Sequence, residues 1–351
     1  MTTDTAGGVW SYSTALSETL ARYGIRVVLA ASGINISRSQ RKSIHLLERK
    51  GVKVHFKALK LEWMDDASED IDRASGWIRQ LVKEERPDLI HFNNYGQVRL
   101  GWDIPTVLVA HSCVASWWLA VKKEPLPQRY ASYFRIVEEA FAMADAVVSP
   151  TAAIQQTYQS LYGIRSNQLV IPNGIRKIAH PTLLPQKKSI FSAGRIWDEA
   201  KNISLLLAAA SEIKSEIYIA GPASERYRPI KNVTFLGELS RRQVANWMRI
   251  ATAYVMPVKY EPFGLSFLEA AAYSRPLIGG DIGTLREIWG EDMIYTDPED
   301  KEELAARCNQ LISDTSKTKE LGIRAYRRSQ HFTLEGMADR YHRLYTSLQR
   351  N

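Results

Sequence analysis

Glu261-Pro262-Phe263-Gly264-Leu265-Ser266-Phe267-Leu268-Glu269 is the stretch around which the 351-residue chain is organised. Just before it, Ala253-Tyr254-Val255-Met256-Pro257 reads as a short buried strand. Just after it, Phe267 to Tyr273 is rich in alanine and leucine and reads as a helix. Glu261 is thereby placed on a strand-to-helix loop. Gly264 lets the backbone approach a ligand closely. The first amides of the helix, near Phe263, Gly264 and Leu265, have no intrahelical partner and suit an anion. Glu269 lies further along the helix, where it can accept hydrogen bonds from a polyhydroxylated ligand. Amides for phosphate and two carboxylates for hydroxyls are what a nucleotide-sugar needs. Taken alone, the two acids are equally an ordinary loop residue and a solvated helix residue.

The pattern resembles the Glu-x7-Glu signature of the family 4 glycosyltransferases, retaining enzymes of the GT-B fold, and the Pro-Phe-Gly insert makes the likeness more specific. The resemblance implies an α/β chain of two Rossmann-like, doubly wound parallel-sheet domains facing across a cleft. Residues 1–172 would form the acceptor-side domain and 173–331 the nucleotide-sugar domain. The helix of 332–351 would cross back to the first domain. Pro172-Asn173-Gly174 resembles the family's hinge, and Gly194-Arg195 followed by Lys201-Asn202 resembles its diphosphate clamp. The likeness makes His111, Arg195, Lys201 and Glu261 the catalytic set. Gly7 and Gly8 resemble the glycine loop beside the donor diphosphate. Gly237, Glu238 and Leu239 stand where the family lines the nucleotide base, and Glu269 where it holds the ribose.

Composition sets the frame for this reading. Hydrophobic residues make up 45% and charged residues 24%, which describes a globular chain with room for two cores. No apolar run approaches a membrane span, and Met1-Thr2-Thr3-Asp4 lacks the features of a signal peptide. Cys113 and Cys308 are far apart and have no metal-ligand spacing, so both read as core thiols in a reducing cytoplasm. The net charge of +8 is concentrated in one stretch: between Arg38 and Lys60 stand Arg41, Lys42, Arg49, Lys50, Lys53 and Lys57 against Glu48 alone. That run is either a solvated face or a surface for an acceptor or an anionic membrane. No nucleic-acid-binding module is recognisable.

Strand-like and helix-like segments alternate along the chain, which argues for parallel sheets. The strand expected before Gly7-Gly8 is nearly missing, with only Met1 to Thr3 available, so a start further upstream is one expectation. In the helix after the glycines, Val9, Leu16 and Leu20 fall on one face. His111 follows the Thr106-to-Ala110 run, at the end of a strand where open α/β sheets bind ligands. Trp117 and Trp118 are adjacent and cannot share one helix face. At least one is expected to be exposed or to face the cleft, as a candidate contact for an acceptor sugar or a membrane interface, the alternative being a tryptophan packed under a loop. Asp70-Ile71-Asp72 matches a metal-binding motif of another glycosyltransferase fold in form only, because it opens an amphipathic helix where acids complement the dipole.

The implied activity is retaining transfer of a hexose from a nucleoside-diphosphate sugar, UDP-hexose first and GDP-mannose second. The acceptor would be a cell-envelope polysaccharide, glycolipid or lipid-linked glycan. No metal or cofactor is called for, and the place of work is the cytoplasm, at the inner face of the membrane if the basic stretch touches lipid. The alternatives are a GT-B enzyme of other chemistry, such as an epimerase or phosphorylase, and a nucleotide-sugar-binding protein without activity.

Overall fold

In a computed structural model the chain divides into two compact units. Met1–Gly174 and Leu334–Asn351 form the first, and Ile175–Thr333 the second. The structure describes residues 1–164, 167–179, 187–222 and 229–349.

The strands of the first unit are β1 (Thr2–Asp4), β2 (Val28–Gly33), β3 (Lys53–Ala58), β4 (Ile90–Phe92), β5 (Thr106–Val109), β6 (Ala146–Ser149) and β7 (Gln168–Val170). They make two parallel sheets, ordered β1-β2-β3 and β4-β5-β6-β7. One continuous doubly wound sheet would place β1 beside β4. With β1 only three residues long, Asn93, just past β4, supplies the join through its backbone N–H and its side chain instead of a ladder. The Asn93 amide nitrogen donates to Thr2 Oγ1 at 3.0 Å, and its Nδ2 donates to the Thr2 carbonyl at 2.7 Å.

The helices of this unit are α1 (Gly7–Arg22), α2 (Arg38–Glu48), α3 (Ser68–Glu85), α4 (Val114–Lys122), α5 (Ala131–Met143) and α6 (Ala152–Tyr162), joined by the chain's last helix, Leu334–Leu348. Tyr12, Leu16 and Leu20, four residues apart on α1, are buried against Val107, Val109 and Val148 and against Met337, Tyr341 and Leu344 of the last helix. Each such leucine contributes about 1.5–3 kcal/mol. Val9 is half-buried and does not join this core.

The second unit contains β8 (Lys187–Ala193), β9 (Glu216–Ala220), β10 (Val233–Gly237), β11 (Ala251–Met256), β12 (Leu277–Gly280) and β13 (Ile294–Thr296). They form one parallel sheet in the order β10-β9-β8-β11-β12-β13. Every residue of β11 is buried, as its apolar run predicts. Its helices are α7 (Ile203–Ala209), α8 (Arg241–Ile250), α9 (Leu265–Ala272), α10 (Gly283–Trp289), α11 (Lys301–Ser313) and α12 (Thr315–Ser329). Strand order reverses at β8 and β11, the switch point where open α/β sheets bind ligands beyond the strand C-termini. The loops that leave these two strands therefore lie side by side. Gly221 marks how tightly the backbones pack there: at φ +148°, a Cβ would sit 2.0 Å from the Gly194 carbonyl oxygen.

Candidate active site

The loop after β8 carries Arg195 and Lys201, and the loop after β11 carries Glu261. Asn202 binds the two loops together. Its Nδ2 donates to the carbonyls of Pro257 at 2.8 Å and Pro298 at 2.7 Å. Asn202 has φ +53°, a left-handed conformation that asparagine tolerates better than most residues. The backbone adds a further link, with the Lys259 amide donating to the Ala200 carbonyl at 2.9 Å.

Lys201 Nζ reaches Glu261 Oε2 at 2.6 Å, both side chains being about 15% exposed. Glu261 Oε1 accepts from the amides of Gly264 at 3.0 Å and Phe263 at 3.4 Å. Two of the three amides expected to await an anion thus already hold one, because a helix N-terminus attracts the nearest carboxylate. Gly264 is the N-cap of α9, and no side chain caps it; Leu265 begins the helix. Burial alone would raise the Glu261 carboxyl. The Lys201 ammonium and the two amides outweigh it and hold the group below the usual carboxylate range. Thr284, at the start of α10, steadies the loop by donating to the Glu261 carbonyl at 2.5 Å.

Arg195 is fixed separately. Its Nη2 and Nε both meet Asp198 Oδ2, at 2.6 and 3.2 Å, and its guanidinium lies 5.5 Å from the centre of the Trp197 ring. Asp198 is buried, and its other oxygen accepts from the Ala200 amide at 3.0 Å. Arg195 keeps 43% of its side chain exposed. Both cations are thus anchored by an acid, and a lysine or arginine bonded to one carboxylate retains further N–H donors for a phosphate.

Glu269 is exposed on α9. Gly237 ends β10 at φ +67°, with open space where a side chain would be. Glu238 is exposed, and Leu239 packs against the core beside Val244 and Trp247. Ser240 then caps α8 through a reciprocal bond with Gln243.

In the first unit, the loops after β1 and β4 meet at the break in the sheet. Gly7 and Gly8 open α1 and are exposed, and no side chain caps the helix. His111 lies two residues beyond β5, with its ring edge-on to Tyr12 at 4.5 Å. Its Nε2 is 2.8 Å from Asn93 Oδ1, and His91 Nε2 is 3.2 Å from the same oxygen. Asn93 Nδ2 faces the Thr2 carbonyl, which can only accept, so the amide orientation is fixed. Both imidazoles must then carry their proton on Nε2. His91 Nδ1 accepts from the Tyr345 hydroxyl at 2.6 Å. Burial pushes the His111 imidazole down to about 3. His111 is therefore a neutral ring whose Nδ1 is a lone-pair acceptor.

His111 borders a pocket of about 80 Å³, also lined by Asp4, Ser32, Glu62, Trp63 and Asn94. The Glu62 carboxylate accepts from the amides of Tyr95 at 3.0 Å and Gly96 at 2.7 Å. Burial raises it to about 6, with those two amides working against the shift. Trp117 and Trp118 are not among the pocket's lining residues. They are half-buried on α4, in contact with one another and with Lys122. Trp118 also packs on Tyr130 and Arg129.

Sequence reasoning quoted Asn202 only as part of the clamp pattern, with no role of its own, and passed over Asn93, Asp198, Glu62 and Trp63. The last two had one available signal: Glu62-Trp63 follows β3, on the ligand-facing edge of the sheet.

Solved structures share this architecture. Sucrose-phosphate synthase from Thermosynechococcus elongatus superposes with a TM-score of 0.81 at 21% identity, over 98% of this chain and 94% of that one. The Anabaena protein HepE, in complex with UDP and glucose, gives 0.74 at 17% identity, over 99% and 98%. The fold is that of the GT-B glycosyltransferases. Residues 6–177 match the family described as Glycosyltransferase Family 4, and residues 187–314 match Glycosyl transferases group 1. The chain belongs to family 4 of the glycosyltransferases. Among curated relatives, the O-antigen chain mannosyltransferase C of Escherichia coli is 26% identical over 271 residues, 70% of each chain. No described helix is long and apolar enough to cross a membrane.

Proposed function

We propose that this glycosyltransferase moves a hexose, with retention of anomeric configuration, from a nucleoside-diphosphate sugar to a cell-envelope polysaccharide, glycolipid or lipid-linked acceptor. UDP-hexose is the favoured donor and GDP-mannose the second. The observation that carries the reading is the Lys201–Glu261 pair seated on the N-terminus of α9, beside the anchored Arg195. Lys201 and Arg195 neutralise the charge that grows on the departing diphosphate. Such preorganised electrostatic stabilisation is commonly the largest contribution to catalysis. Cations held by acids need little reorganisation at the moment of reaction. Glu261 orients sugar hydroxyls, Glu269 binds the ribose, and the backbone at Gly237–Leu239 lines the base. The open amides at Gly7 and Gly8 add phosphate donors. His111, being neutral, positions the transferred sugar by accepting a hydrogen bond from one of its hydroxyls at Nδ1. With two cations at the phosphates, the reading assigns no metal or cofactor. The UDP-and-glucose complex of HepE supports the first donor, and the mannosyl activity named for the Escherichia coli relative supports the second. The basic residues of α2 and β3 support work at the inner membrane face.

The test is a thermal-shift and nucleotide-release screen of UDP-, GDP- and ADP-sugars in EDTA and then in magnesium, followed by NMR of the product anomer. Stabilisation and slow release with one donor in EDTA, giving a product of unchanged anomeric configuration, is expected. Strict dependence on magnesium would overturn the metal-free part, and an inverted product would overturn retention. No response to any donor would overturn the whole.

A further inference from the structure

The pocket beside His111 has a definite chemical character. Its polar groups include the carboxylates of Asp4 and Glu62, the hydroxyl of Ser32 and the amide of Asn94. No lysine or arginine is among its lining residues, in a chain with a net charge of +8. The cations close to its lining in sequence are engaged elsewhere: Arg73, next to Ala74, meets Asp70 Oδ1 at 2.9 Å, and Lys60, two residues before Glu62, is turned to the carbonyls of Asp65 and Asp66, at 3.1 and 3.4 Å. Glu62 is held in place by the amides of Tyr95 and Gly96, and a carboxylate has about four lone-pair sites, so Oε1 retains capacity for a hydroxyl donor. Trp63 is 41% exposed, unusual for a tryptophan, and its ring forms part of the wall. Acceptors of hydrogen bonds beside an open aromatic ring suit a neutral polyol. They repel a phosphate, which would enter with its charge facing two acids and no cation.

We propose that this pocket holds an uncharged glycosyl ring of the acceptor, with Glu62 accepting from its hydroxyls and Trp63 covering one face, and that it excludes phosphorylated sugars. This narrows the acceptor class and rests on the glycosyltransferase reading above. Like-charge opposition is an effective means of specificity because it acts against the wrong ligand. The raised Glu62 carboxyl fits the same picture, since a partly desolvated acid gains most from a hydroxyl donor.

Saturation-transfer NMR on the full chain, loaded with the nucleotide that stabilises it, tests this directly. The probes are methyl α-glucoside, methyl α-mannoside and maltose against glucose 6-phosphate and mannose 6-phosphate. At least one neutral sugar is expected to bind at least tenfold tighter than its phosphate. Trp63→Ala should weaken it about tenfold, and Trp63→Phe should restore most of the loss. Glu62→Gln should weaken it severalfold and narrow the margin against the phosphates. Phosphates binding as tightly as the neutral sugars would overturn the proposal. So would the absence of neutral-sugar binding to a protein that still binds nucleotide, or indifference to Trp63→Ala. Failure to bind any nucleotide would instead bring down the functional reading, and this proposal with it.

Discussion

Replacing Lys201 by alanine separates what its ammonium does for the fold from what it does for the reaction. In the wild-type chain the Glu261 carboxyl is held below its ordinary range. Because the folded pKa lies below the unfolded one, the stabilisation is complete above about pH 5 and is lost as pH falls through the folded value. Without Lys201, burial is opposed only by the two amides of Phe263 and Gly264. The folded pKa then rises above the unfolded one, and the contribution becomes a penalty that grows as pH rises. Removing one partner of a buried pair costs about 3–5 kcal/mol. The two side chains keep 16% and 14% exposure and the amides stay in place, so about 2–3 kcal/mol is the reasonable size here. That corresponds to about 5–10 °C in the melting of a unit of this size. Calorimetry at pH 4.5, 6 and 7.5 should show the gap between variant and wild type widening with pH. Adding Glu261→Gln should recover much of the stability and none of the turnover, which falls about 100-fold or more when one transition-state donor is lost. A gap that is the same at every pH would refute the reasoning, as would turnover that returns with stability.

Arg195→Ala should lower kcat about 100-fold, measured by nucleotide release; near-normal turnover would remove it from the clamp. Glu269→Gln should raise the donor KM and spare kcat, since ribose binding is uniform between ground and transition state, and a collapse of kcat alone would exclude that role. Nitrogen NMR of His111 should show Nε2 protonated and Nδ1 bare throughout pH 5–8, given a ring held near 3; titration near 6.5 would refute the tautomer argument. Gly264→Ala should destabilise by about 1–3 kcal/mol, because the position has φ +92° and a Cβ would sit 3.0 Å from Phe267 and 3.2 Å from Leu285. An unchanged urea midpoint would count against that.

The parallel α/β fold and its strand-loop-helix centre were legible because β11 and α9 are saturated with buried apolar residues, a signal that local pattern carries well. Two helices escaped for opposite reasons. Only Leu47 of α2 is buried, so the element reads as a basic run rather than an amphipathic face. Apart from Leu321, the buried residues of α12 are small: Thr318, Gly322, Ala325 and Ser329. Gly322 lies so close to the Ser274 carbonyl that a Cβ would be 2.3 Å from it, and close packing of that kind leaves no apolar signature. In the candidate site, the resemblance of the surrounding motifs to the family's pointed to Arg195, Lys201 and Glu261, which their residue types alone did not. What fixes them did not show: Asn202 acts through the carbonyls of Pro257 and Pro298, which only the folded backbone brings near, and the pairing of Asp198 with Arg195 depends on how their loop turns. The Glu62 pocket was illegible for a further reason. Asp4, Glu62, Asn93 and His111 are scattered over more than a hundred positions, and only the strand order gathers them.

The helix Leu334–Leu348 has a consequence for how the chain is made. Its Met337, Tyr341 and Leu344 cover the faces of Tyr12, Leu16 and Leu20, yet the whole of Ile175–Thr333 is translated in between. At about 5–20 residues per second, the ribosome spends roughly 10–30 s on that interval. Throughout it the emerging N-terminal half must wait with an uncovered apolar surface. A holdase chaperone would find its binding site there, and it would lose that site when the last helix arrives.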